Sequence, residues 1–562
     1  MRRILREVDS GLFRALMGFL LLGLIVCGPV WTAPTQRILG HPGADAYNHV
    51  WGYWHVAQAL QEGRSLLDAH LLGWPEGGVL WFIDSFGAFL TLPFQWLGGA
   101  ALSFNVMVLA NVVFAGVAAW ALGRRVTGSG VAAVVTGVSF ALMPHLLAQL
   151  HNGITETTSV GWIPLVALLG IRFFRAPTTR RGVALGLAWA ACSLACWYYG
   201  LFAGLLLGVC ALHVSPDWKK VSRACVWPLG VVSVLVGPFA WRFARTLSVE
   251  NALVQREVGQ VAQTLSGHDV VDALALVVPG AGVDRKLLFD EDLLVGVYVG
   301  LALLLCALLG AAWRKSARLW IAGALLSAVL SLGAWLHWGG ELVVLPGGGG
   351  FPLPFLLLSR LPGFETVSHA YRFAVLTHLF LGVAAAFGVL EISRRIGWGQ
   401  VGIAALVSVF VGVESLSVGP YPLPTSVVGS SAAYASIEGD GAVLDLPAGI
   451  QVLSRGRYAM YQMDHGRPIV YALDDPTPEF LLSNRLTRYV LNLERTSVDS
   501  LAPSLPYLEL ALARRQLAQQ GLSAIVVHEA LYPAEMLPRI RAFLDTVLGE
   551  GRRVDGLVVY GI

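Results

Sequence analysis

Charge is scarce in this chain. Only 13% of its 562 residues are Asp, Glu, Lys or Arg, while 56% are hydrophobic and the mean hydropathy is +0.64. A soluble domain carries roughly a quarter charged residues. The composition therefore excludes a soluble enzyme, a disordered chain and a nucleic-acid-binding protein, and leaves a polytopic membrane protein. Nucleotide and hydrolase signatures are missing as well: there is no P-loop, GxSxG, HExxH or CxxC pair. No apolar segment carries Asp, Glu or Lys near its centre. That counts against an ion-coupled transporter, because proton relays and ion sites need intramembrane charge. The 6 cysteines all lie in or beside apolar segments, with Cys192 and Cys196 one helical turn apart, so neither a zinc site nor a disulfide framework is indicated.

What the chain has instead is apolar runs of spanning length. Arg2, Arg3, Arg6 and Arg14 lead into the first, which ends near Val30 with no A-x-A cleavage site, so it reads as an uncleaved first span. A span needs about 20 predominantly apolar residues. The candidates are 12–32, 101–122, 130–149, 159–174, 182–198, 200–214, 225–244, 293–312, 318–336, 371–391 and 400–418, eleven in all. The stretch 86–98 is too short to cross and contains Pro93, so it is placed on the membrane surface or as a re-entrant piece. With the N-terminus inside, the inner loops hold Arg124–Arg125, Arg172 to Arg181, Lys219 to Arg223, Arg314 to Arg318 and Arg394–Arg395, as the positive-inside rule requires. The outer segments 33–100, 245–292, 337–370 and the tail from 419 are long, and long loops carry function more often than tight ones. The expected location is a bacterial inner membrane, multi-pass, with the machinery outside.

After Val418 a linker, Pro420-Tyr421-Pro422-Leu423-Pro424, opens a region with shorter apolar runs. Strands are expected at Ala442–Leu446, Ile469–Ala472, Ala524–His528 and Val554–Tyr560, and helices at 479–497, 505–520 and 533–549. Strands alternating with helices suggest a soluble α/β domain over 419–562, extracytoplasmic, after a transmembrane domain over 1–418.

Three polar clusters fall on the outer side. In the first, Asp45 sits just beyond the first span, within His41 to His55, ahead of an amphipathic stretch rich in Trp and Tyr. Asp45 reads as a general base whose pKa is tuned by aromatic cover, or as a helix N-cap at a membrane interface. His41, Asp45 and His49 share helical spacing that would suit metal ligands, but Pro42-Gly43 interrupts a helix there. The second cluster, Pro144 to Glu156, brings His145, His151 and Glu156 into a short connection with no Lys or Arg, suited to a sugar or a metal, or simply a wet turn. The third, Pro362 to Phe373, contains His369 and Arg372. Arg372 stands at the outer mouth of a span, where it pairs with a lipid phosphate or snorkels to headgroups.

Together these features resemble the GT-C superfamily of membrane glycosyltransferases, which have many spans and a long first outer loop with two surface helices and an acidic residue soon after the first span. Asp45 matches the acidic position, and 49–63 and 86–98 match the surface helices. Within that superfamily the chain is similar to bacterial YfhO-like proteins. The likeness rests on Trp74-Pro75-Glu76-Gly77-Gly78, Phe104-Asn105, the Phe140 to His145 stretch, Pro362-Gly363-Phe364 with Arg372-Phe373, and Val443-Leu444-Asp445-Leu446-Pro447. The order of these short motifs along most of the chain carries the resemblance. It implies transfer of a sugar from a polyprenyl-phosphate carrier to a cell-envelope glycan or lipid acceptor on the outer face. Asp45 would be the base, Arg372 would meet the carrier phosphate, and His49, His145, His151, Glu156 and His369 would bind substrate. Asp45 has no partner in an Asp-Glu or Asp-x-Asp pair, so a divalent cation stays open. Two rivals are a non-catalytic scaffold with the same architecture and a glycan or lipid transporter-polymerase partner.

Overall fold

The computed structural model describes residues 2–81, 84–246, 271–279, 293–361, 364, 367–473, 478–496 and 507–562. Most of the outer segment 245–292 therefore lies outside the described residues. So do Pro362, Gly363, Glu365 and Thr366 of the third cluster, and the ends of two expected tail helices at 497 and 505–506.

Each of the eleven apolar segments contains helix, but among the described residues six helices, not eleven, are long and apolar enough to cross a membrane. These are Leu92–Thr127, Ala133–Asn152, Trp197–Val214, Trp218–Thr246, Ala370–Ile396 and Gln400–Val418. Ser10–Val26 and Leu301–Trp313 are shorter apolar helices. Trp162–Arg175, Thr179–Ala195 and Lys315–Ser331 have 14, 17 and 17 residues.

Local chemistry explains where the helices break. Gly98 and Gly99 leave helical geometry, Gly99 at φ 79, and separate 92–97 from the long helix that follows. Asp84 starts the preceding short helix, Ser85–Leu90, by accepting from the Gly87 amide at 2.8 Å. The span expected over 130–149 is interrupted ahead of Pro144, where Met143 is extended as a residue before proline must be. The segment 293–312 is a correction: 293–300 is not helical, and the helix begins only at Leu301, after Gly300 at φ 83. Its open N-terminus is closed from another helix, since Glu414 accepts from the amides of Leu301 and Ala302 at 2.7 and 3.0 Å and from the Tyr298 hydroxyl at 2.7 Å.

The tail carries a four-stranded mixed sheet. Ala442–Leu446 pairs parallel with Leu522–His528, which pairs antiparallel with Leu557–Gly561, which in turn pairs with Arg552–Val554. Two expectations are corrected here. The single run Val554–Tyr560 is a hairpin, turned at Asp555-Gly556 with φ 51 and 76, the sign that a type I′ turn demands. Ile469–Ala472 forms no ladder strand, only one bridge, to Val443. Its remaining backbone groups serve the first outer loop: Ile469 donates to Leu71, and Gly73 and Trp74 donate to Tyr471 and Ile469.

The tail and the segment 33–100 are tied together twice more. Arg37–Leu39 pairs antiparallel with Thr425–Val427. Gln462, fully buried, accepts from Trp51 Nε1 at 2.7 Å and donates to the carbonyls of Leu71 and Arg467 at 2.7 and 2.8 Å. Losing that amide strands buried polar groups at about 1–3 kcal/mol each. Gln462→Leu is therefore expected to lower the thermal midpoint and to speed proteolysis at 419–424, whereas Gln462→Glu, which keeps the acceptor, loses less. Limited proteolysis of the purified protein checks both.

Candidate functional site

The helix Ala46–Gln61 begins where the segment 33–45, the 144–158 connection and the tail meet. Asp45 stands at its start but makes no capping bond with its side chain. The carboxylate, 4% exposed, turns aside: one oxygen accepts from Asn48 Nδ2 at 2.8 Å and the other lies 3.4 Å from His49 Nε2. Backbone bonds fix the position. The Asp45 amide donates to the Asn152 carbonyl at 3.0 Å, and the His41 amide donates to His151 at 2.7 Å, with the His41 and His151 rings stacked at 5.2 Å. Gly153, at φ 74, permits this approach, because a Cβ there would lie 2.4 Å from that of Ala46. Asn152 in turn brackets Leu294, donating to its carbonyl and accepting from its amide.

Two more carboxyls face the same imidazole. His49 Nδ1 lies 3.4 Å from Thr155 Oγ1. Burial works against the charged ring, but the hydrogen bond and charge of Asp45, backed by Glu156 and Asp84, outweigh it and hold the His49 pKa above its ordinary value. Burial pushes the half-buried Glu156 carboxyl up, against the opposing pull of His49 and Arg372. Burial also raises Asp84, although it accepts from Tyr53 Oη at 2.9 Å and from the Gly87 amide.

Arg372 forms the other bank. It sits in the first turn of the helix Ala370–Ile396, 5% exposed, with its guanidinium 4.5 Å from the centre of the Tyr198 ring. Its Nε is buried without a hydrogen-bond partner, and it makes no ion pair with a described residue. His369 lies 6.0 Å from Tyr198 and 5.8 Å from Tyr371, and His145 lies 5.9 Å from Tyr371, centre to centre. Tyr199 donates to the Thr157 carbonyl at 2.6 Å and lies 3.5 Å from His145 Nε2, joining this bank to the 155–158 turn.

The structure thus groups Asp45, His49, His151 and Glu156 on one side and Arg372, His145 and His369 on the other. Glu156 feels charge from both. Among the described residues, no group of three or more His, Cys, Asp or Glu could hold a metal ion. Sequence reasoning missed Asp84, whose signal was its capping position ahead of Ser85-Phe86-Gly87. It also missed Tyr198, whose partner Arg372 is distant in sequence.

No protein-family model matches the sequence, and no curated protein matches it. Solved structures do. The arabinofuranosyltransferase AftD from Mycobacteria aligns with 92% of this chain at TM-score 0.50 and 17% identity. The Archaeoglobus fulgidus oligosaccharyltransferase, tethered to an acceptor peptide, aligns with 92% at TM-score 0.51 and 12% identity. The matched regions cover 35% and 69% of those chains, so this protein spans about a third of the length of AftD. The chain shares the mostly helical fold of these two structures, and among its described residues six helices are long and apolar enough to cross a membrane.

The half-buried Glu156 gives a pH signature. A carboxyl raised by folding favours the protonated folded form, so its stabilising contribution is complete below the unfolded carboxyl pKa near ~4.3 and fades as pH rises through the folded value. Glu156→Gln should raise the thermal midpoint at pH 8 and leave it nearly unchanged at pH 4.5. Thermal unfolding in nanodiscs at the two pH values checks this.

Proposed function

We propose that the protein is a membrane glycosyltransferase that moves a sugar from a polyprenyl-phosphate donor to a cell-envelope acceptor on the outer face of a bacterial inner membrane. The observation that carries this reading is a pair of buried groups, the Asp45 carboxyl and the Arg372 guanidinium, which both act electrostatically on Glu156, Arg372 making no ion pair with a described residue. Residue 373 continues from Arg372 into an apolar groove of about 490 Å³ between the helices Trp197–Val214, Lys315–Ser331 and Ala374–Ile396, lined by Leu205, Val209, Leu326, Leu330, Phe373 and Phe380. A polyprenyl chain matches that lining, and its phosphate would then meet Arg372.

In the transfer, Asp45 takes the proton of the acceptor hydroxyl. The acceptor oxygen forms its bond to the anomeric carbon while the bond from that carbon to the phosphate oxygen breaks. The electron pair leaves on the polyprenyl phosphate, whose charge Arg372 stabilises. His49 orients Asp45, and Glu156, His145, His151 and His369 surround the sugar. The tail, 419–562, is an extracytoplasmic α/β domain that braces the Asp45 helix through Gln462, and residues 1–418 form the transmembrane domain of a YfhO-like member of the superfamily.

Asp45→Asn should insert normally and lose about 10²–10⁴-fold in transfer, the usual worth of a general base. Arg372→Ala should weaken donor use, and Arg372→Lys should restore part of it, because charge returns without the planar fork. Full glycan transfer by Asp45→Asn would overturn the assignment and favour the scaffold. For orientation, cysteines at the exposed positions Glu76 and Glu535 should label from outside intact cells, and one at Lys219 only after permeabilisation.

A further inference from the structure

A second groove, of about 380 Å³, runs between the helix that carries Asp45 and the short helical piece 92–97. Its side chains are Trp54, Gln58 and Gln61 from the first and Gln95 and Trp96 from the second, with Gly99 and two alanines completing the lining. Its volume lies within the roughly 300–1,000 Å³ of small-molecule sites. None of the five larger side chains has a hydrogen bond to another described residue, and Gln95 Oε1 is buried with no partner. Trp96 is 67% exposed and leaves one indole open at the rim. The break at Gly98-Gly99 ends the 92–97 piece beside the groove.

We infer that this groove binds a neutral oligosaccharide, the acceptor chain of the transfer, an inference that rests on the reading above and names its acceptor class. The lining contains no charged residue, so a phosphate-bearing headgroup or an acidic polymer would meet no cation there. A sugar ring offers C–H faces that pack on indoles. Its hydroxyls both donate and accept, as glutamine amides also do. Three unpaired amides beside two tryptophans satisfy both halves of that chemistry. The groove also lies on the same helix as Asp45. Trp54 and Gln61 follow Asp45 by nine and sixteen residues, which at 1.5 Å per residue is about 14 and 24 Å along the axis. An occupant that reaches from the groove to Asp45 is therefore longer than a single sugar.

The test is direct binding, separate from transfer. The full-length protein in phosphatidylglycerol-containing nanodiscs is titrated by saturation-transfer NMR with neutral glucan, mannan and arabinan hexasaccharides and, in parallel, with oligogalacturonate. At least one neutral hexasaccharide should bind, and oligogalacturonate should not. Trp96→Ala and Gln58→Leu should each weaken that binding at least tenfold, while Glu535→Ala, at an exposed position of the tail, leaves it unchanged. Binding of none of the neutral chains, wild-type binding by both groove variants, or preference for oligogalacturonate would overturn the inference. Loss of transfer assignment to Asp45 with groove binding intact would instead fault the catalytic reading alone.

Discussion

A carboxyl group nearly removed from water is the constraint around which this part of the molecule is arranged. Asp45 is 4% exposed, and a buried charge is tolerated only when hydrogen-bonded and paired. Its own helix supplies Asn48 and His49, but the place of that helix is fixed by distant segments. The 144–158 connection holds the Asp45 amide through Asn152, the strand 425–427 holds 37–39, and Gln462 holds Trp51. Each of these contacts ties the Asp45 helix or its approach to a segment distant in sequence.

The same economy of charge governs the apolar region. Two acids in its helices have defined partners. Glu414 closes a helix N-terminus, and Glu391, 1% exposed, pairs with Arg314 and with Arg394. Arg372 is different, because its guanidinium rests on an aromatic face and meets no carboxylate among the described residues.

Hydropathy made the helical segments legible, because a run of about 20 apolar residues has few alternatives in a bilayer. It could not locate the breaks at Met143-Pro144, Gly98-Gly99 and Gly300, which depend on one or two residues within an otherwise uniform pattern. In the tail, alternation revealed Ala442–Leu446 and Leu522–His528, yet the Asp555-Gly556 turn hid inside an apolar run. Asp45 was legible from its place after the first span. The clasp between 37–39 and 425–427, the bond from Gln462 to Trp51, and the seat of Arg372 on Tyr198 were not, since each joins residues far apart in sequence and none leaves a local period.

The account depends most on where a lipid-linked donor sits. A polyprenyl phosphate bearing a diazirine near its head, incubated with the protein in nanodiscs and cross-linked by light, tests this directly. The prediction is that labelled peptides map to Leu205–Val209, Leu326–Leu330 and Phe373–Phe380, and that Arg372→Ala reduces the yield. Labels confined to 400–418 or to the opposite ends of these helices would contradict it.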